Sequence, residues 1–152
     1  MGDRCSYSGI SVDGTTARVT AFLTVLVAGA AVITASFWVL LPLAADFAVR
    51  ARGGGRRSPL GWAAARLATA LGLEPRPVDG GPKAFAAGVG LVASLTAALL
   101  ALAGWTWAAT AVAGVLVICA ALEAFAGFCV GCLMYSMLQR AAARLGLPAR
   151  QP

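Results

Sequence analysis

Histidine is absent from this 152-residue chain, and with it the commonest catalytic base and metal ligand. Charge is scarce too: charged residues make up 12% and hydrophobic residues 60%, with a mean hydropathy of +0.83. A soluble globular domain is roughly half apolar and a quarter charged, so that class is excluded. What remains is an integral membrane protein with room for a single domain. Acids are outnumbered by bases, six against twelve. Because the bases flank apolar runs, they fit orientation in a bilayer and contact with anionic lipid headgroups, not binding to nucleic acid. A basic leader is missing: residues 1–17 hold Asp3 and Asp13, and Arg4 is the one base before Arg18. No signal peptide is therefore expected, and the whole chain is read as the mature protein. Gly53-Gly54-Gly55 lacks the Lys-Ser/Thr of a phosphate-binding loop, which excludes a nucleotide site. No cofactor is expected.

Long apolar runs are present. From Val19 to Val49 the chain is broken only by Pro42 and Asp46. As one helix this stretch would be about 46 Å long against a hydrocarbon core of about 30 Å, too long for one span and short for two. Two short spans, about 18–35 and 37–52, turning near Ser36, are expected. Residues 84–138 carry one charge, Glu123, and Gly104-Trp105 divides them into spans of about 84–103 and 106–128. Between the pairs lies an Arg-rich connection in which Ser58-Pro59 reads as a helix start, with Ser as N-cap and Pro at the first position. It opens a short interfacial helix to Leu71, and a second interfacial helix is expected over Leu133–Leu145. The expected fold is thus an all-α membrane protein of four transmembrane helices in two hairpins. A polar cytoplasmic tail (1–17) containing Cys5 precedes the membrane domain (18–145), and a short tail (146–152) follows it.

The halves share short echoes: Val12-Asp13-Gly14 with Val78-Asp79-Gly80, Trp38 with Trp105, and Ala63–Leu67 with Ala141–Leu145. They suggest a tandem repeat, parallel because each unit has an even number of spans. With four spans every base falls on one side, which the positive-inside rule makes cytoplasmic. Both termini then lie in the cytoplasm of a cell whose plasma membrane the chain crosses several times.

Reactive side chains concentrate in Phe128-Cys129-Val130-Gly131-Cys132-Leu133-Met134-Tyr135. Cys129 and Cys132 have the spacing of a dithiol couple or of half a metal site. A metal is not expected, because zinc usually takes four ligands and only Cys5 and Cys119 remain. Two readings of the pair stay open. If the fourth span runs unbroken through Cys132, the thiols lie at a helix C-terminus and are quiet; if it breaks at Gly127 or Gly131, they lie at an N-terminus that favours thiolate. The competing reading is packing, with Gly127 and Gly131 as a G-x-x-x-G seam. Glu123, an acid within a span, is either a partnered interhelical carboxyl or a proton-handling group. On a regular helix it shares a face with Cys119, not with the pair. Asp46 and Arg50 are spaced for an i,i+4 ion pair. Trp62 and Tyr135 read as interfacial anchors, with Trp38, Trp105 and Trp107 at the opposite headgroup layer.

On these residues the chain resembles a family of small bacterial integral membrane proteins classified only as a domain of unknown function, whose members end in a Phe-Cys-Leu-Gly-Cys-x-Met-Tyr-like segment. Similar features are Asp13 with Arg18, Arg57-Ser58-Pro59-Leu60-Gly61, and Asp79 with Phe85. Asp-Pro-Arg, frequent in the family, is replaced here by Asp13-Gly14-Thr15 and Asp79-Gly80-Gly81. The resemblance implies a four-span bacterial inner-membrane protein, sometimes associated with thioredoxin-like or sulfur-transfer proteins. Two functions follow as expectations. One is a cytoplasmic-face dithiol, Cys129 attacking and Cys132 resolving, with a thioredoxin-like or sulfurtransferase partner. The other is a nonenzymatic packing or assembly subunit, with a homo-oligomer or a small transporter component as variants.

Overall fold

A computed structural model describes residues 11–53 and 55–145; Cys5 and the two terminal tails lie outside or largely outside them. Among the described residues the regular elements are helices and one short strand pair. The order is β1 (Ser11–Asp13), α1 (Gly14–Ile33), a 3-10 turn (Phe37–Val39) leading into α2 (Leu40–Ala51), α3 (Pro59–Ala70), β2 (Pro77–Asp79), α4 (Gly80–Leu102), α5 (Thr106–Ala121) running into a π turn (Leu122–Ala126), and α6 (Val130–Arg144).

Three helices have the length and composition to cross a membrane: Gly14–Ile33, Gly80–Leu102 and Thr106–Ala126. Their packing has the inverted character of a bilayer bundle. Small residues fill the centre, with Ala28, Ala31, Ala97, Ala109, Ala113 and Ser94 all fully buried. Large apolar side chains face outward, as Val92, Leu99, Val115 and Ile118 do at more than 60% exposure. In water that distribution would forfeit the hydrophobic drive; in lipid, close backbone approach supplies the association energy. The second expected span, 37–52, is the exception. Phe37–Val39 and α2 together make a piece too short for the hydrocarbon core at 1.5 Å per residue. Its residues Leu40, Leu43, Ala44 and Phe47 are buried. The Phe47 ring lies where a Cβ on Gly90 would come within 2.6 Å of it, so α2 sits directly on the α4 backbone.

α1 and α4 start at Gly14 and Gly80, four residues before the expected 18 and 84, whereas α5 starts at Thr106 as expected; at α1 a polar cap, not hydropathy, sets the start. Asp13 caps α1 by accepting from the Thr15 and Thr16 amides at 3.0 and 3.2 Å. It also accepts from the Arg76 amide at 2.9 Å, tying α1 to the loop that leads into α4. Beside that cap β1 and β2 pair antiparallel, with Val12 opposite Val78. Both turns at the far end use a residue with positive φ, Ala35 and Gly104, and close with amide bonds from Ser36 to Ala31 and from Trp105 to Leu100. The exposed Trp38, Trp105 and Trp107 cluster near these turns.

The strand pair, the N-termini of α1 and α4, the C-termini of α2 and α5, and the helices α3 and α6 share the other end. α3 begins as the sequence predicts, with Ser58 Oγ accepting from the Gly61 amide at 3.0 Å and Pro59 in the first position. It is held to α2 by Asp46, whose carboxylate accepts from the Leu60 amide at 2.9 Å and pairs with Arg50 at 2.7 Å. α6 lies against α4, with the Phe85 and Tyr135 ring centroids 5.5 Å apart.

Candidate dithiol site

The last span does not run through the cysteines. Regular α-helix ends at Ala121, the next turn widens into π geometry, and Gly127 stops it in the left-handed region at φ 67°. The Gly127 amide bonds to the Glu123 carbonyl and the Phe128 amide to the Leu122 carbonyl, at 3.1 and 3.2 Å. The chain thereby folds back along its own last turn. Arg18 supports the break from α1: its guanidinium donates to the Phe125 carbonyl at 3.2 Å and lies over Gly127. Phe22 meets the Phe125 ring edge to face, with centroids 6.1 Å apart.

Two residues later α6 begins, and Cys129 is its N-cap. Its backbone is extended (φ −86°, ψ 104°), and its Sγ accepts from the Cys132 amide at 3.3 Å. Ser58 occupies the same place on α3, bonding the amide three residues on. A sulfur in the seat of a capping oxygen receives backbone N–H groups and the positive end of the helix dipole, both of which favour the anion. The thiol hydrogen bond donated by Cys132 is the largest influence, and it holds Cys129 below the ordinary thiol range despite burial and the nearby Glu123 charge. The Lys83 charge acts in the same direction. Cys132 moves the opposite way: its proton is held by Cys129, and burial and the Cys129 charge push it further up. The two sulfurs thus divide into one poised to lose its proton and one poised to keep it. Both are half-buried, and neither is in a disulfide.

The expected G-x-x-x-G seam is not a single helix surface. Gly127 ends one helix and Gly131 lies inside the next, so the two do not form one stripe. Each has its own reason for lacking a side chain. Gly127 takes a positive φ; Gly131 sits where a Cβ would come within 2.5 Å of the Ala86 Cβ and 2.7 Å of its Cα, so α6 touches the α4 backbone.

Glu123 is partnered. Its carboxylate receives Lys83 Nζ at 2.8 Å, a bond between residues forty apart in sequence. Lys83, in the first turn of α4, is a residue that sequence reasoning left in the polar connection. It is the chain's one lysine, and an acid stranded in a span is the signal that would have sent a search for its cation. Arg18, expected as a flanking charge and as part of the family pattern with Asp13, has a further contact in the Phe125 carbonyl.

Comparison with known proteins adds one match. The family described as Domain of unknown function (DUF4395) matches residues 12–140, which include both cysteines, Lys83 and Glu123. No curated protein and no solved structure matches the chain.

Proposed function

The chain belongs to the DUF4395 family, and from that premise we propose that it is a membrane dithiol whose Cys129–Cys132 pair exchanges electrons with a soluble thioredoxin-like partner at the cytoplasmic face. The observation that carries this reading is the capping of α6 by Cys129 Sγ. A cysteine there has a lowered pKa and remains half-exposed, which are the conditions for a nucleophilic thiolate. In the proposed reaction the Cys129 thiolate attacks one sulfur of a partner disulfide, forming a mixed disulfide and releasing the partner's second thiolate. Cys132 then loses its proton and attacks Cys129 Sγ, and the partner leaves as a dithiol. Two electrons have passed to the partner, and the Cys129–Cys132 disulfide waits for a cytoplasmic dithiol to reduce it. In a reducing compartment such a bridge is transient.

The cytoplasmic assignment rests on charge. Arg18, Arg50, Arg52, Arg56, Arg57, Arg66, Arg76 and Lys83 belong to the same end as the cysteines, and the far turns are uncharged. In this orientation Phe37–Ala51 completes a fourth, shortened span, thinning the bilayer locally. A tandem repeat is supported by the Val12–Val78 pairing, by α2 packing on α4 as α5 packs on α1, and by the matching caps Ser58 and Cys129. The first unit carries Ser58 and Gly61 where the second carries Cys129 and Cys132. A Cβ at Gly61 would fall 1.8 Å from the Gly55 carbonyl, so the first unit has no room for a second thiol. Chemistry is confined to one unit, and the other serves as scaffold.

The test uses the full chain in native membranes. Cys129 should be alkylated near pH 7 roughly tenfold faster than an ordinary thiol. Cys132→Ser should trap a mixed disulfide with an added disulfide such as oxidised glutathione. Thiols inert to both reagents would overturn the proposal. A transferable sulfur found on Cys129 in place of the mixed disulfide would shift the partner class to sulfurtransferases.

A further inference from the structure

Resolution of a mixed disulfide needs a home for the proton on Cys132. While Cys129 is a thiolate it holds that proton; once Cys129 has attacked, its sulfur is neutral and bonded, and the holder is gone. Two pieces of geometry bring a replacement close. The Phe128 amide bonds to the Leu122 carbonyl at 3.2 Å, which lays Cys129 beside the turn carrying Glu123. Gly131 touches Ala86, one helical turn along α4 from Lys83, which sets the first turn of α6 alongside the turn that carries the lysine and puts Cys132 within reach of its charge. The Lys83–Glu123 pair closes this gap at 2.8 Å, its side chains 20% and 21% exposed. That burial strengthens its field compared with a surface pair, yet leaves it open to proton exchange with water.

We infer that Glu123, positioned by Lys83, accepts the Cys132 proton during resolution and returns it to the departing partner thiolate, while Lys83 favours the Cys129 thiolate before attack. This rests on the dithiol reading. The balance closes. The Cys132 S–H bond breaks as the Glu123 O–H bond forms, and the new Cys132–Cys129 bond displaces the partner sulfur. That sulfur then takes the proton, and Glu123 is again a carboxylate paired with Lys83. Both thiols feel both charges, Lys83 pulling their pKa values down and Glu123 raising them. Among the described residues Arg50 of α2 also feels the Glu123 charge but is already paired with Asp46, while Arg18 of α1 is committed to the Phe125 carbonyl.

The experiment follows an aromatic disulfide with a coloured leaving thiolate, mixed with the full chain carrying Cys5→Ser and Cys119→Ala. The first coloured thiolate reports attack by Cys129; the second, displaced as the internal disulfide forms, reports resolution by Cys132. Glu123→Gln should leave the first phase as fast or faster and slow the second by about tenfold or more near pH 7. Raising the pH or restoring a carboxylate with Glu123→Asp should recover much of the second phase. Lys83→Gln should act mainly on the first phase, moving its pH profile upward. A second phase unchanged in Glu123→Gln, or both phases slowed by the same factor in every variant, overturns this inference and leaves the dithiol reading standing. A parent protein with no first phase overturns both.

Discussion

Replacing Asp46 tests how α3 is fastened to the bundle. The Asp46 side chain is 1% exposed, forms an ion pair with Arg50 at 2.7 Å and accepts from the Leu60 amide at 2.9 Å. Arg50 is itself 15% exposed and stacks 4.3 Å over the Phe47 ring; its Nε, its Nη2 and Asp46 Oδ2 have no aligned hydrogen bond, so the 2.7 Å contact is an ion pair held by charge. It therefore depends on Asp46 for compensation of its charge. Asp46→Leu strands that guanidinium and frees a helix N-terminus, a loss of about 3–4 kcal/mol, since breaking a buried pair from one side costs more than the pair contributes. Arg50→Met is milder, about 2 kcal/mol, because the carboxylate keeps the Leu60 amide and the α3 dipole. The double variant removes both charges and should lose only about 2–3 kcal/mol, giving a coupling energy of about 3 kcal/mol. Thermal unfolding of the full chain in lipid nanodiscs, read by tryptophan fluorescence, converts this to a fall of roughly 10 °C for Asp46→Leu. Hydrogen exchange at the Leu60 amide should accelerate in Asp46→Leu but not in Arg50→Met. Losses that simply add in the double variant would refute the reasoning, since charges that do not compensate each other have no coupling.

Three further outcomes are expected. Gly131→Ala must push α6 off Ala86 and should cost about 1–3 kcal/mol. Its Cys129 alkylation should slow several-fold, whereas Gly29→Ala, which meets nothing within 4 Å, serves as the tolerated control. Cys132→Ala removes the hydrogen bond that contributes most to lowering the Cys129 pKa, so the pH profile of Cys129 alkylation should move upward; an unmoved profile would show that the helix terminus acts alone. For Asp13, burial pulls the pKa up, but bonds from the Thr16 hydroxyl and the Arg76, Thr15 and Thr16 amides outweigh it, leaving it below the ordinary 3.8. Asp13 therefore contributes stability above that value and loses it as pH falls through the folded pKa. The Tm should drop on acidification below about pH 4, and less so in Asp13→Asn.

Features written in local chemistry were legible in the sequence. Ser58-Pro59 starts α3, Gly104 makes a turn, Asp46 and Arg50 pair four residues apart, and the apolar runs announce helices suited to a membrane. Features that depend on distant partners were not. Gly127 and Gly131 have equal freedom to break a helix, and the choice between them falls to neighbours far away in the chain: Arg18 over the first and Ala86 against the second. Glu123 looked misplaced on a regular helical wheel because a wheel assumes that the helix continues. The π turn removes that assumption. Lys83 was unremarkable because forty residues separate it from its carboxylate. α1 starts four residues before the expected 18 for a related reason: hydropathy finds where a span becomes apolar, while Asp13 decides where its first turn begins.

The packing of α2 on α4, and of α5 on α1, bears on how the protein is made. A ribosome delivers residues 14–51 well before α4 exists, so for that interval α2 lacks the main surface it packs on. The Asp13 cap also lacks its Arg76 contact until the connecting segment has emerged. The packing of α2 must then wait until α4 has been made, and folding becomes a late event joining both halves at once. Expressed separately, the halves should be poor substrates for membrane quality control to spare; expressed together, they should rescue one another.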